Sequence, residues 1–292
     1  MAAALLARVC SARRRPWGLV AALLLAGSGC PPPAQPLPAP LPRTEALARY
    51  NAQVAAIPPF RCRIAQWEAQ FTDAAGQARH EQELGGTLIY RPPAASDRPA
   101  RFYLQADAPV KKAFVLAANE REFWMFSEWG RLGGWGKYEH LDKPCAESIA
   151  IPPQTVLEFV GLHPLPAAPP LPAYRIGPAT CTIEYVRLDD QGYSTQREII
   201  LDRRTYWPVE INAYAADGAR LMHSELRQYR RLGDAWLPAE VLLAWPPENA
   251  WLRLKFTDFS MDQKDREGLF VRPRALPDIP DYHQIDRACD DN

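Results

Sequence analysis

From Phe60 onward the chain is written in short runs of β-branched and aromatic residues separated by turn residues, and this punctuation limits its fold more than any other feature. Phe60 to Thr72, Gly86 to Arg91, Arg101 to Ala106, Ala113 to Ala118 and Glu122 to Ser127 predict successive strands. Beyond a proline-dense connection at His163 to Pro172, the pattern resumes at Cys181 to Leu188, Gln196 to Leu201, Trp207 to Tyr214, Arg220 to Tyr229, Leu237 to Trp245 and Trp251 to Phe259. Turns such as Asp73 to Gly76, Asn119 to Arg121, Asp189 to Gly192, Asp202 to Thr205 and Ala216 to Gly218 are of hairpin length, so neighbouring strands are expected to be antiparallel. Roughly ten strands approach the number at which an open sheet must curl. The expected class is mainly β (α+β), with one strongly curved antiparallel sheet forming an open half-barrel.

Two helices accompany the strands. Thr44 is placed to cap a helix running to Ile57, with Glu45 in its first turn and Leu47, Tyr50, Val54 and Ile57 on one apolar stripe before Pro58-Pro59 stop it. A short mid-chain helix is expected from Pro152 to Val160, with prolines in its first turn and Gly161 as its stop. Gly130 to Lys137 is glycine-rich but has neither dinucleotide nor phosphate-loop spacing, and it reads as a mobile loop.

The first thirty residues carry a different message. Arg13-Arg14-Arg15, an apolar stretch from Trp17 to Ala26, and then Gly27-Ser28-Gly29-Cys30 describe an export signal, because the apolar part is too short to cross about 30 Å of hydrocarbon. Cys30 directly after Ser28-Gly29 resembles the lipobox of bacterial lipoproteins, so residues 1–29 are read as a lipoprotein-type signal and Cys30 as the lipid attachment site; an ordinary secretory signal with Cys30 an incidental thiol is the alternative. Residues 30–43, dense in proline, read as an extended tether. Losing the four arginines of residues 1–29 leaves 30 of the 34 basic side chains against 34 acidic ones, which argues against a nucleic-acid partner.

Cys62, Cys145, Cys181 and Cys289 show neither a C-x-x-C pair nor a nearby histidine, so in an exported chain they are disulfide candidates rather than zinc ligands. Four cysteines allow three pairings, and buried free thiols are the alternative. There is no G-x-S-x-G elbow, and His80, His140, His163, His223 and His283 have no metal-ligand spacing. No catalytic residue, metal or cofactor is expected, and the chain is read as a non-enzyme.

Several strands alternate, as where Leu252, Leu254 and Phe256 oppose Arg253 and Lys255. Others are apolar on both faces: Phe114-Val115-Leu116, Phe123-Trp124-Met125-Phe126 and Leu242-Leu243-Ala244-Trp245. A helix over each face, a second packed sheet, or a concave face kept for a greasy ligand would each account for them.

The leading amphipathic helix, the hairpin-linked strands, the segment Ile151 to Leu162 and the run Ile200-Leu201-Asp202-Arg203-Arg204-Thr205-Tyr206-Trp207-Pro208-Val209 resemble the LolA/LolB-like outer-membrane lipoprotein-sorting proteins. Phe102 to Ala106 followed by Val115 to Trp124 resembles them too. The resemblance implies an unclosed half-barrel over residues 44–271, with helices across its concave opening and a hydrophobic cavity that receives the acyl chains of lipoproteins; residues 272–292 are left as a tail. Carrier members are soluble and receptor members lipid-anchored, so Cys30 places this chain nearer the receptors.

Candidate cavity residues are Leu47, Tyr50 and Val54 from the helix, with Leu104, Phe114, Leu116, Phe123 and Met125 from the strands. The expected function is binding of acyl chains or lipoproteins in lipoprotein sorting, by a monomer facing the periplasm. Pro31, standing where an aspartate would resemble an inner-membrane retention mark, points to the outer membrane. The competing reading is an envelope sensor or protein-interaction module on the same scaffold, without lipid transfer.

Overall fold

The computed structural model describes residues 36–72, 76–83, 85–93, 99–108, 111–127, 132–141, 143, 153–166, 172–189, 192–261, 266–276, 279 and 282–290. The chain divides into Met1–Leu37 and Pro38–Asn292, and the fold below is that of the second unit. The signal, Cys30, most of the tether and Cys145 lie outside the described residues.

Fifteen described strands make one sheet organised around β1 (Phe60–Thr72). Along one edge β1 pairs with β16 (Ala250–Ser260), through two register shifts that bend both strands. Its other edge is shared: residues Phe60 to Arg63 pair with β3 (Gly86–Arg91), and Trp67 to Thr72 pair with β2 (Ala78–Glu83). From β3 an antiparallel meander continues through β4 (Arg101–Ala108), β5 (Lys111–Ala118), β6 (Glu122–Ser127) and β7 (Leu132–Lys137).

From β16 the sheet runs the other way through β15 (Glu240–Trp245), β12 (Arg220–Arg227), β11 (Pro208–Tyr214), β10 (Gly192–Asp202), β9 (Thr180–Asp189) and β8 (Ala173–Ile176). A separate two-stranded hairpin joins β13 (Arg230–Leu232) to β14 (Ala235–Leu237). The end strands do not pair with each other in this order, so the described sheet is an open half-barrel.

Helix α1 (Arg43–Ala55) turns Ala46, Leu47, Tyr50 and Val54 into the interior. Thr44 does not cap it. Pro42 occupies the cap position in an extended conformation, and no side-chain cap bond forms, because the helix begins two residues earlier than a Thr44 cap would place it. Helix α2 (Pro153–Phe159) ends as expected at Gly161, whose φ of +76° lies in the left-handed region. Gly161 N–H donates to Glu158 O and Leu162 N–H to Leu157 O, which satisfies the last carbonyls of the helix.

Two apolar layers result. One lies between the concave face and the two helices. The other lies on the opposite face of β3 to β6, where Ile89, Tyr103, Val115 and Trp124 meet Phe270 and Ile279 from the C-terminal segment. That second layer explains why β5 and β6 are apolar on both faces, the cover on one side being the chain beyond β16; β15, with Leu242 to Trp245, takes no part in it. The expected tail is docked rather than loose. Its His283–Gln284 forms β17, parallel to β7, and a short helix α3 (Arg287–Asp290) follows.

The glycine-rich run expected as a loop is strand β7 from Leu132 on. Its glycines answer to crowding: a Cβ on Gly134 would lie 2.8 Å from Ile285, and one on Gly136 would lie 2.7 Å from the Phe123 ring. β2, β8 and β17 are further strands that the residue pattern did not announce. The run from Leu237 to Trp245 is broken, since Leu237 closes β14 and β15 begins at Glu240. Of the disulfide candidates, Cys289 is bonded, whereas Cys62 and Cys181 are buried free thiols. Five strands separate those two along the sheet, and both point into the packed interior.

Candidate functional site

The concave face is where the chain gathers its apolar candidates. Leu47, Tyr50 and Val54 descend from α1 onto a wall that includes Leu104 of β4, Leu116 of β5 and Phe123 of β6, and all six are buried in one cluster. Phe114 and Met125, on β5 and β6, are partly buried against it. Val156, Leu157, Phe159 and Val160 from α2 complete the cover, a contribution that the candidate residues did not include.

Edge hydrogen bonds hold α1 in place. Tyr50 OH donates to His163 O at 3.1 Å, and Gln53 Nε2 donates to Thr205 O at 2.7 Å. Asn51 and Leu165 bond reciprocally: Asn51 Nδ2 donates to Leu165 O at 2.9 Å, while Leu165 N–H donates to Asn51 Oδ1 at 2.8 Å. Leu41 N–H donates to Tyr206 OH at 2.7 Å just before the helix. These contacts lie at the margin of the cover. Beneath it the contact with the wall is apolar, and each large side chain buried there stabilises the closed arrangement by on the order of 2 kcal/mol.

One charge interrupts this interior. Glu158 of α2 is 7% exposed, and its Oε1 lies 2.6 Å from Arg197 Nη1 of β10. Burial pushes its carboxyl up to about 7, against the opposing pull of Arg197. Tyr50 faces the same pair from α1 and Tyr185 from β9; burial raises both phenols, with Glu158 adding to each shift. A lone acid inside Val156-Leu157-Glu158-Phe159-Val160 was the available signal in the sequence. Arg197 gave none, since alternation alone does not say which face of a strand will be covered.

The opposite face of β8 to β12 is polar. A cleft of about 500 Å³ there is lined by Arg175, Glu184, Thr195, Glu198 and Tyr214 among others. Arg175 bridges Glu184 at 3.2 Å and Glu198 at 2.7 Å, so this surface offers polar groups rather than an acyl trough. Among the described residues no group of three or more His, Cys, Asp or Glu is placed to hold a metal ion. No helix of the described residues is long and apolar enough to cross a membrane.

No family model matches the chain, and no curated protein matches it. Solved structures do. A DUF1329 family protein from Desulfovibrio piger aligns with a TM-score of 0.50 at 10% identity, over 78% of this chain and 95% of that one. A putative outer membrane lipoprotein-sorting protein domain from Vibrio parahaemolyticus aligns at 0.49 and 13% identity, over 78% and 95%. A LolA superfamily protein from Nitrosomonas europaea aligns at 0.47 and 8% identity, over 80% and 98%. At 10% identity the likeness to the Desulfovibrio piger protein is one of fold alone. The open sheet with its concave face under two helices is the unclosed half-barrel architecture that the sequence resemblance implies.

Proposed function

We propose that this chain is a lipid-anchored envelope protein that binds an acyl chain or a lipoprotein against the concave face of its half-barrel. The observation that carries this reading is the cover itself. Two helices, rather than a second sheet, lie over a continuous apolar wall, and hydrogen bonds at their margins tie them down. In the closed arrangement the side chains of α1 and α2 occupy the place of the guest. Displacing them exchanges one set of apolar contacts for another, which suits cargo whose every methylene costs about 0.8 kcal/mol to withdraw from a membrane.

Residues 44–271 form the binding body in this reading, Cys30 the anchor and the proline-dense residues that follow it, up to the docked Leu41, the spacer. The outer membrane is the proposed anchorage, with the body on its periplasmic side. Fractionation of cells carrying Cys30→Ser tests this, since the variant should leave the membrane fraction.

The binding itself is tested by native mass spectrometry of the full chain and by titration with a fluorescent acyl probe. Saturable uptake is expected, and Leu47→Asp should reduce it. If that variant does not fold, Met125→Gln, at a partly buried position of the wall, supplies the same comparison. Absence of saturable uptake by well-folded protein overturns the reading.

A further inference from the structure

A second cleft, of about 280 Å³, opens on the outer side of α1 and is lined by Arg49, Gln53, Arg204, Trp207, Asp234 and Trp236, together with Thr205 and Ala235. Three elements far apart in sequence build it: the polar face of α1, the turn between β10 and β11, and the β13–β14 hairpin. Its floor is a stack of aromatic rings. Trp207 lies against Tyr229 at 4.8 Å and 28°, and Trp236 lies against Trp207 at 4.7 Å. Trp236, the outermost ring, is 41% exposed. An indole left open to water at the end of a stack loses apolar burial that a surface turn residue would not.

Around this platform stand groups of two kinds. Arg49 and Arg204 bring guanidinium forks, suited to an oxyanion. Arg49 also rests over the Tyr206 ring at 5.2 Å, which limits the ways its side chain can turn. Gln53, with its Nε2 committed to Thr205 O, presents a carboxamide oxygen, and Asp234 a carboxylate; both accept hydrogen bonds from hydroxyls. A bare phosphate would leave the indole without a partner and would meet Asp234 unfavourably. A neutral ring would draw nothing from the positive charge that Arg49 and Arg204 bring to the cleft.

We propose that this cleft binds a phosphorylated sugar-like ring, its C–H face on Trp236, its phosphate on Arg49 and Arg204, and its hydroxyls on Gln53 and Asp234. The same chemistry is carried by a free sugar phosphate and by a phosphoinositide-type lipid headgroup. Of the cleft residues only Ala235 also belongs to the buried cluster of the concave side, so the two readings can be tested apart. Because α1 forms one side of the cleft and also covers that wall, an occupant here ties the helix to the β10–β11 turn.

Calorimetric titration of the full chain with glucose 1-phosphate, glucose and inorganic phosphate tests the proposal, beside sedimentation with phosphatidylcholine vesicles with and without phosphatidylinositol. The expected result is saturable binding of glucose 1-phosphate, about tenfold or more tighter than either fragment. Arg49→Gln and Trp236→Ala should each weaken it by about tenfold, and Trp236→Phe, which keeps a ring on the stack, should weaken it less. If soluble sugar phosphate does not bind but vesicles containing phosphatidylinositol capture the chain in a manner that needs Arg49 and Trp236, the source is a lipid headgroup and the site stands. Equal binding of inorganic phosphate and glucose 1-phosphate, binding unaffected by both variants, equal capture by plain phosphatidylcholine, or no binding in any arm overturns it.

Discussion

Glu158 and Arg197 meet at 2.6 Å beneath the cover, joining α2 to β10 inside a cluster otherwise built from hydrocarbon. The pair is lopsided in its energetics. Burial penalises the charged carboxylate more than the guanidinium rewards it, and the carboxyl is pushed up to about 7.

Stability should therefore depend on pH with a definite sign. A glutamate whose folded pKa exceeds its unfolded value stabilises the fold fully below about 4.5, and that contribution is lost as pH rises through about 7. At about 1.4 kcal/mol per unit, the loss is about 3 kcal/mol at most. His163, whose pKa burial lowers, acts in the opposite direction and gains as pH rises through its ordinary value of 6.5. Glu158→Gln separates the two. The variant should match the parent in urea midpoint near pH 5 and exceed it above pH 7, whereas parallel pH profiles would show that Glu158 does not titrate in this range.

Gly134 and Gly136 give a second test, of packing. Each sits where a side chain from another segment fills the space of its missing Cβ: Ile285 against Gly134, Phe123 against Gly136. Gly134→Val should destabilise by about 1–3 kcal/mol through overpacking at the β7–β17 junction. Gly76→Ala has nothing within 4 Å of its Cβ but a φ of +75°, and it serves as a comparison in which backbone strain acts alone. Chemical denaturation of both variants, with hydrogen exchange across residues 282–290, would read the effect; unchanged exchange there would mean that the C-terminal segment is held from elsewhere.

How far the fold was legible follows from particular residues. Gly86–Arg91 and Glu122–Ser127 fall where the residue pattern puts them, because dense β-branched and aromatic runs between turn residues leave little choice of period. Ala78–Glu83, by contrast, is a strand made of Ala-Arg-His-Glu-Gln-Glu, with no apolar alternation at all. It pairs because β1 extends beyond β3 and offers an open edge, a tertiary cause invisible in local sequence.

The buried face of α1 was legible because Leu47, Tyr50 and Val54 share a helical stripe. The role of the C-terminal segment was not, since Phe270 and Ile279 lie in proline-rich sequence with no period of their own. Their burial against Tyr103 and Trp124 is decided by an apolar face that nothing else covers.

The docked segment has a polar lock that can be removed cleanly. Asp286 accepts from Lys137 N–H at 2.8 Å and lies 2.9 Å from His140 Nδ1, with both side chains almost wholly buried. Asp286→Ala leaves a buried imidazole and a backbone N–H without this partner and should cost about 2–4 kcal/mol. Asp286→Asn, which keeps an acceptor in place, should cost less. Equal losses in the two variants would point to packing rather than to hydrogen bonding.

Cysteine chemistry supplies the last test, because the thiols differ in kind. Cys62 and Cys181 are buried and free, so neither sulfur is open to solvent, and burial pushes the Cys62 thiol up. Under native conditions an alkylating reagent should leave both unlabelled, and labelling should appear only as the chain unfolds. Cys289 is bonded and lies three residues beyond Asp286, with its N–H donating to Asp286 O at 2.9 Å, so one end of its disulfide sits beside the buried carboxylate. Cys289→Ser should then lower stability by about 2–5 kcal/mol. If the bond and the carboxylate hold one junction, the loss in the double variant Cys289→Ser, Asp286→Ala should fall short of the sum of the single losses, because the second change acts on a segment already released. Strict additivity would mean that the two act on separate parts of the chain.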